Sequence, residues 1–109
     1  MAFSESLAAR IRHSLTGKRG VVEKKMFGSL CFLLNGNLLV GVWGYSLIVR
    51  LGPDQANKAL QQPYVKKFDA TGKPMKGWVL VEPDGVETDE QLKHWLEVAE
   101  AFVGTLPRK

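Results

Sequence analysis

Ser29-Leu30-Cys31-Phe32-Leu33-Leu34-Asn35-Gly36-Asn37-Leu38-Leu39-Val40-Gly41-Val42-Trp43-Gly44-Tyr45-Ser46-Leu47-Ile48-Val49-Arg50-Leu51-Gly52 is the stretch that decides the fold of this 109-residue chain. Ser29–Leu34 is almost wholly apolar, which predicts a strand buried on both faces. Asn35-Gly36 is a hairpin signal, because a type I′ turn needs positive φ at both central residues. Leu38–Trp43 returns as the next strand, Gly44-Tyr45 turns again, and Ser46–Leu51 follows. In that last run Leu47 and Val49 alternate with Ile48 and Arg50, the period of two that a strand requires. Consecutive strands joined by tight turns form a meander, so the sheet is antiparallel here.

Upstream, Val21–Phe27 reads as a further strand. Val22, Lys24 and Met26 share one face, and that mixed face places the strand at the periphery. A helix precedes it, from Ser4 or Glu5 to Leu15. Ser4 is its N-cap, and Leu7, Ala8, Ile11 and Leu15 form its apolar face. Gly17 and Gly20 bracket Lys18-Arg19 in the connecting loop. Downstream, Gly52-Pro53-Asp54 opens a short helix reaching Gln62, since proline suits the first turn and aspartate the positive end of the helix dipole. Val65–Asp69 is a fifth strand, residues 70–76 a loop, Trp78–Val81 a sixth strand and Pro83-Asp84-Gly85 a turn. Thr88 caps the last helix, with Gln91 completing a capping box. Leu92, Trp95, Leu96, Ala99, Phe102, Val103 and Leu106 make its continuous apolar stripe. The expected order is α-β-β-β-β-α-β-β-α. That is an α+β chain with a twisted antiparallel sheet and packed helices, one domain by length.

An apolar fraction of 45% is ordinary for a globular protein. The single cysteine, Cys31, excludes an intramolecular disulfide and a cysteine-rich zinc site. It stands in an apolar run and reads as a small buried hydrophobe, in keeping with a reducing, cytoplasmic setting. The opening Met1-Ala2-Phe3-Ser4-Glu5 lacks the pattern of a signal peptide, and no apolar stretch approaches the roughly 20 residues of a membrane helix. The net charge of +4 is unevenly spread. Residues 1–76 hold twelve basic and four acidic residues, a balance of +8, while residues 77–109 hold three and seven, a balance of −4. Either the basic part meets an anionic partner, or the acidic last helix packs beside it within one chain or across a dimer.

Catalytic motifs are absent. His13 and His94 stand on helix faces without a ligand partner at helical spacing, which argues against a metal. There is no nucleophile elbow, dinucleotide fingerprint or phosphate loop with a suitably placed lysine, and Gly17-Lys18-Arg19-Gly20 reads as a plain loop. The carboxylates from Glu82 to Glu90 surround a turn and a helix start, where Asp89 and Glu90 complement the dipole. No cofactor is expected. The basic residues Lys18, Arg19, Lys24 and Lys25 lie close together, and Lys66, Lys67, Lys73 and Lys76 join them if the first and fifth strands and the 70s loop share a face. Such clusters contact phosphates without sequence preference. A helix-turn-helix reader is disfavoured because the last helix is acidic, and Phe27, Phe32, Phe68 and Trp78 read as core rather than as a base-stacking platform.

Two signatures remain: Lys25-Met26-Phe27-Gly28 with Phe32, Gly36 and Arg50-Leu51-Gly52, then Phe68 and Gly72-Lys73-Pro74-Met75-Lys76-Gly77-Trp78-Val79. Together they resemble the N-terminal domain of the TfoX/Sxy family, over nearly the whole chain. The resemblance implies an α+β fold similar to secretion chaperones, and a role like that of bacterial regulators of natural competence. Longer members of that family act as co-activators with the cyclic-AMP receptor protein and carry a second, helical domain. This chain ends at Lys109 and reads as a stand-alone copy, for which the co-activator role does not follow automatically. The family offers no catalytic residues to carry over. Met26, Phe27, Gly28, Gly52, Gly72, Met75, Gly77 and Trp78 are expected to be structural. Lys25, Arg50 and Lys73 are signature charges without a packing reason, and with Lys18, Arg19, Lys24 and Lys76 they are the expected contact residues.

Three functions follow as expectations. The first is a non-enzymatic regulatory module that binds a protein (a transcription factor or RNA polymerase component), with weak, non-specific DNA contact an option. The second is a homodimer without a nucleic-acid role, paired through an exposed strand or the flank of the last helix. The third is a small-ligand binder with a pocket near Tyr45, Tyr64 and Trp78. No membrane partner is expected.

Overall fold

The computed structural model describes residues 4–26, 29–68 and 76–108. The elements run α1 (Glu5–Ser14), β1 (Val21–Met26), β2 (Ser29–Leu34), β3 (Asn37–Trp43), β4 (Ser46–Arg50), α2 (Pro53–Ala59), β5 (Val65–Lys67), β6 (Trp78–Val81), a 3₁₀ turn (Pro83–Gly85) and α3 (Asp89–Val103). The expected α+β order holds. The strands form one six-stranded, wholly antiparallel sheet in the order β1-β2-β3-β4-β6-β5. Local chemistry accounts for most boundaries. Ser4 accepts the Leu7 N–H at the start of α1. Asn35 (φ 53°) and Gly36 (φ 84°) make the left-handed pair that the β2–β3 hairpin requires. Thr88 and Gln91 form the reciprocal capping box that starts α3.

Helices α1, α2 and α3 contribute Leu7, Ile11, Ala56, Trp95 and Val103 to one core with the helix-facing side of the sheet. Phe32, Val40, Val42, Leu47, Val49, Val79 and Val81 fill that side. A register shift beside Phe32 and Leu33 makes a bulge opposite Leu39, so Leu39 and Val40 are adjacent in sequence and both belong to the core. The indole of Trp95 donates to the Gly85 carbonyl at 3.0 Å, which satisfies a buried N–H and ties α3 to the 3₁₀ turn.

Paired residues share a face, so the registers define a row across the other side: Lys24, Cys31, Gly41, Ile48, Leu80 and Lys66. Its apolar centre is buried although the helices lie on the opposite side, with Cys31 at 1% and Ile48 at 3% exposure. Phe68 leaves the ladder after β5 and sets its ring 5.5 Å from Trp43 and 6.4 Å from Trp78. The fifth strand is therefore shorter than Val65–Asp69, and Asp69 lies outside the described residues. Helix α2 ends at Ala59 rather than at Gln62.

Candidate functional site

The strand order sets the layout of charge. β6 pairs between β4 and β5, so β1 and β5 are opposite edges of the sheet. With neighbouring strands roughly 4.8 Å apart, Lys24 and Lys66 stand about 24 Å from each other across the same face. The single cluster expected to unite Lys24 and Lys25 with Lys66 and Lys67 does not form. Strand order is a non-local property, and nothing in the local sequence marks the insertion of β6.

Several expected contact residues have partners inside the chain. Lys18 pairs with Glu100 of α3 at 3.0 Å. Lys66 pairs with Glu82 at 3.2 Å, and Arg10 with Asp89 at 3.3 Å. These three pairs join the basic segment to the acidic one, so part of the charge asymmetry is complemented within the chain. Arg12 makes a two-pronged contact with Glu23 on β1, at 2.6 and 2.7 Å. The hydrogen bonds from Arg12 hold the Glu23 carboxyl below its ordinary titration range, and the same contact raises Arg12.

Arg50 has a packing role, contrary to expectation. Its guanidinium carbon lies 5.1 Å from the Trp78 ring centroid and 6.0 Å from that of Phe102 on α3. That is cation–π distance to both rings. Trp78 is also the cross-strand partner of Arg50. One residue earlier, the Gly77 carbonyl accepts the N–H groups of Leu51 and Gly52, at 2.9 and 3.0 Å. Gly52 has φ 86° and ψ 159°, a conformation that side chains other than hydrogen rarely adopt. A Cβ placed there would meet the Phe102 ring at 2.6 Å. The Arg50-Leu51-Gly52 and Gly77-Trp78 parts of the two signatures thus form one junction, clamped by Phe102. Phe102 was legible only as part of the apolar stripe of α3; its contact with a distant glycine had no local signal. Met26 ends β1 half-buried. Phe27, Gly28, Gly72, Lys73 and Met75 lie outside the described residues.

Lys67 is exposed and outside these ion pairs at the β5 edge, and a further group lies at the β1 edge. Arg19 in the α1–β1 turn and Lys24 and Lys25 on β1 are exposed, and among the described residues they make no ion pair. Lys76 is exposed in the turn before β6, away from that edge. The pocket expected near Tyr45, Tyr64 and Trp78 is not formed by these residues together. Tyr45 and Trp78 flank opposite ends of β4, and Tyr45 is 75% exposed. An open groove of about 580 Å³ lies elsewhere, between the start of α2 and α3, with Gly52, Pro53, His94, Val98 and Phe102 in its lining. Cys31 is buried, and loss of solvation pushes its thiol pKa up, opposed by the Ser29 hydroxyl 3.6 Å from the sulfur. Among the described residues, no group of three or more histidine, cysteine or carboxylate side chains is placed to hold a metal, and no helix is long and apolar enough to cross a membrane.

Comparison with curated proteins and with solved structures finds no match. The family model described as the TfoX N-terminal domain matches residues 14–103, from the end of α1 to the end of α3. The chain belongs to the TfoX N-terminal domain family.

Proposed function

We propose that this chain is a non-enzymatic interaction module in bacterial gene regulation of the competence-regulator type, working in the cytoplasm by holding a protein partner at the β1 edge. One observation carries the reading. After the internal pairs of Arg10, Arg12, Lys18 and Lys66 and the packing of Arg50 are set aside, Lys24 and Lys25 remain adjacent and exposed on the longer edge strand, with exposed Arg19 in the turn that leads into it. Unpaired surface charge contributes little to folding and is free to steer and orient a complex.

The test is affinity capture from bacterial lysate with the wild-type chain and with Lys24→Glu/Lys25→Glu. Both lysines are exposed, so the variant should melt with the wild type. A protein held by the wild type and lost by the variant supports the reading; identical captures refute it. Anisotropy with a labelled random-sequence duplex at low and moderate salt measures DNA contact separately. Binding that weakens steeply with salt and is lost in Lys24→Glu/Lys25→Glu would assign the edge to phosphates, because released counterions drive such binding.

A further inference from the structure

We infer that β1 receives an extended, acidic segment of another protein as an added outer strand. The inference rests on the reading of β1 as the partner surface and names the chemistry of that partner. β1 is six residues long and ends the sheet. Its four central residues are exposed, and among the described residues no strand pairs with its outer side. Such an edge presents alternate N–H and C=O groups to solvent, a template for one more strand.

The side chains define the guest. Successive residues point to opposite faces, so Lys25 stands on the helix side with Val21 and Glu23, and Lys24 on the other side with Val22. Val22 is 61% exposed, an apolar contact beside the lysine. A strand lying in the plane of the sheet meets Lys24 with one of its faces and Lys25 with the other. A DNA duplex resting on either face meets only one of them. Glutamate or aspartate side chains on the guest therefore find a lysine on each side.

A second copy of this chain fits poorly. In a two-fold antiparallel pairing, residues that face each other must share a sheet face, so every register sets one residue against itself. The two registers that pair five of the six β1 residues oppose Glu23 to Glu23 or Lys24 to Lys24; the second also sets Glu23 against Lys25, but that carboxylate is already held by Arg12. Like charges placed directly opposite are unfavourable. Lysines on the edge thus discourage self-pairing and leave it open to an acidic strand.

The experiment uses the full chain and three labelled octapeptides read by fluorescence anisotropy at low salt. The first is (Thr-Glu-Glu-Thr)₂, which carries carboxylates on both faces of an extended strand, the second (Thr-Lys-Lys-Thr)₂, and the third (Thr-Glu-Glu-Thr)₂ with an N-methyl group on every residue, which removes the donors of both edges. The expected result is binding of the first alone. Lys24→Glu/Lys25→Glu should weaken it by roughly tenfold or more, and Lys58→Glu/Lys67→Glu, an equal charge change on α2 and the far edge, by under about threefold. Equal melting temperatures of both variants and wild type exclude unfolding as the cause. Four results would each overturn the inference. These are no binding of (Thr-Glu-Glu-Thr)₂, equal binding of its N-methylated form, equal losses in the two variants, or binding of a random-sequence duplex in place of the peptide. If (Thr-Glu-Glu-Thr)₂ fails while the lysate partner is still lost on charge reversal, the edge remains the partner surface and only the added strand falls.

Discussion

Replacing Gly52 with alanine tests whether the signature glycine is structural. Two costs add. The backbone at φ 86° and ψ 159° lies in a region essentially confined to glycine, worth about 1–3 kcal/mol for any other residue. The new Cβ would stand 2.6, 2.7 and 3.1 Å from Cδ1, Cε1 and Cγ of Phe102, inside van der Waals contact. Moving the ring would disturb its place beside Arg50, and overpacking of this kind costs about 1–3 kcal/mol. The sum is about 2–6 kcal/mol, a large share of the ~5–15 kcal/mol that holds a typical domain together. At about 4–8 °C per kcal/mol for a small domain, a central value near 4 kcal/mol lowers Tm by roughly 20 °C. Gly17→Ala is the control. Its φ is 87°, but nothing lies within 4 Å of the added Cβ, so only a backbone term of about 1–2 kcal/mol applies. Differential scanning calorimetry of the two variants reads the difference. Phe102→Leu introduced into Gly52→Ala should recover part of the loss, and a double-mutant cycle isolates the coupling. Equal Tm values for Gly52→Ala and Gly17→Ala, or strict additivity with Phe102→Leu, would refute the steric part.

Arg50→Ala should cost about 1–2 kcal/mol in urea unfolding, because it removes a cation held between two rings, and should leave the β1 edge intact. Cys31 should resist alkylation by iodoacetamide in the native protein and react only as fast as the chain opens, since burial both blocks it and raises its pKa. The Glu23–Arg12 contact fixes a pH dependence. Glu23 titrates below its ordinary value of 4.5 when folded, so its stabilising effect is complete above that value and disappears as the pH falls through the lower, folded one. Glu23→Gln should therefore be less stable than wild type at pH 7 and equal to it near pH 2, as read by denaturant midpoints. High salt should narrow the gap at pH 7.

Much of this fold was legible because its signals are local. Asn35-Gly36, Thr88 with Gln91, Pro53 after Gly52 and the alternation from Leu47 to Arg50 each depend on residues within a few positions. The meander from β1 to β4 follows from short turns between apolar runs. Pairing that skips along the chain was not legible. β6 beside β4 places β5 at the far edge, and that alone separates the lysines of β1 from those of β5. The internal partners of Lys18 and Arg50 come from α3, far along the sequence, and only folding brings Glu100 and Phe102 to them. Arg12 with Glu23 was missed for the same reason: one residue is on a helix, the other on a strand, with no fixed spacing. The sequence located the cations but could not sort packed or paired ones from exposed ones. That sorting, with the strand order, singles out Lys24 and Lys25 on β1 and Arg19 beside them as the set proposed for contact.

Amide hydrogen exchange along β1, with and without (Thr-Glu-Glu-Thr)₂, tests the edge reading most directly. An added strand bonds the outward N–H groups and leaves the inward ones, already bonded to β2, as they were. The predicted result is slowed exchange at alternate amides within Val21–Met26, with α3 and β5 unchanged. Unchanged exchange along β1, or slowing spread evenly over the chain, would contradict it.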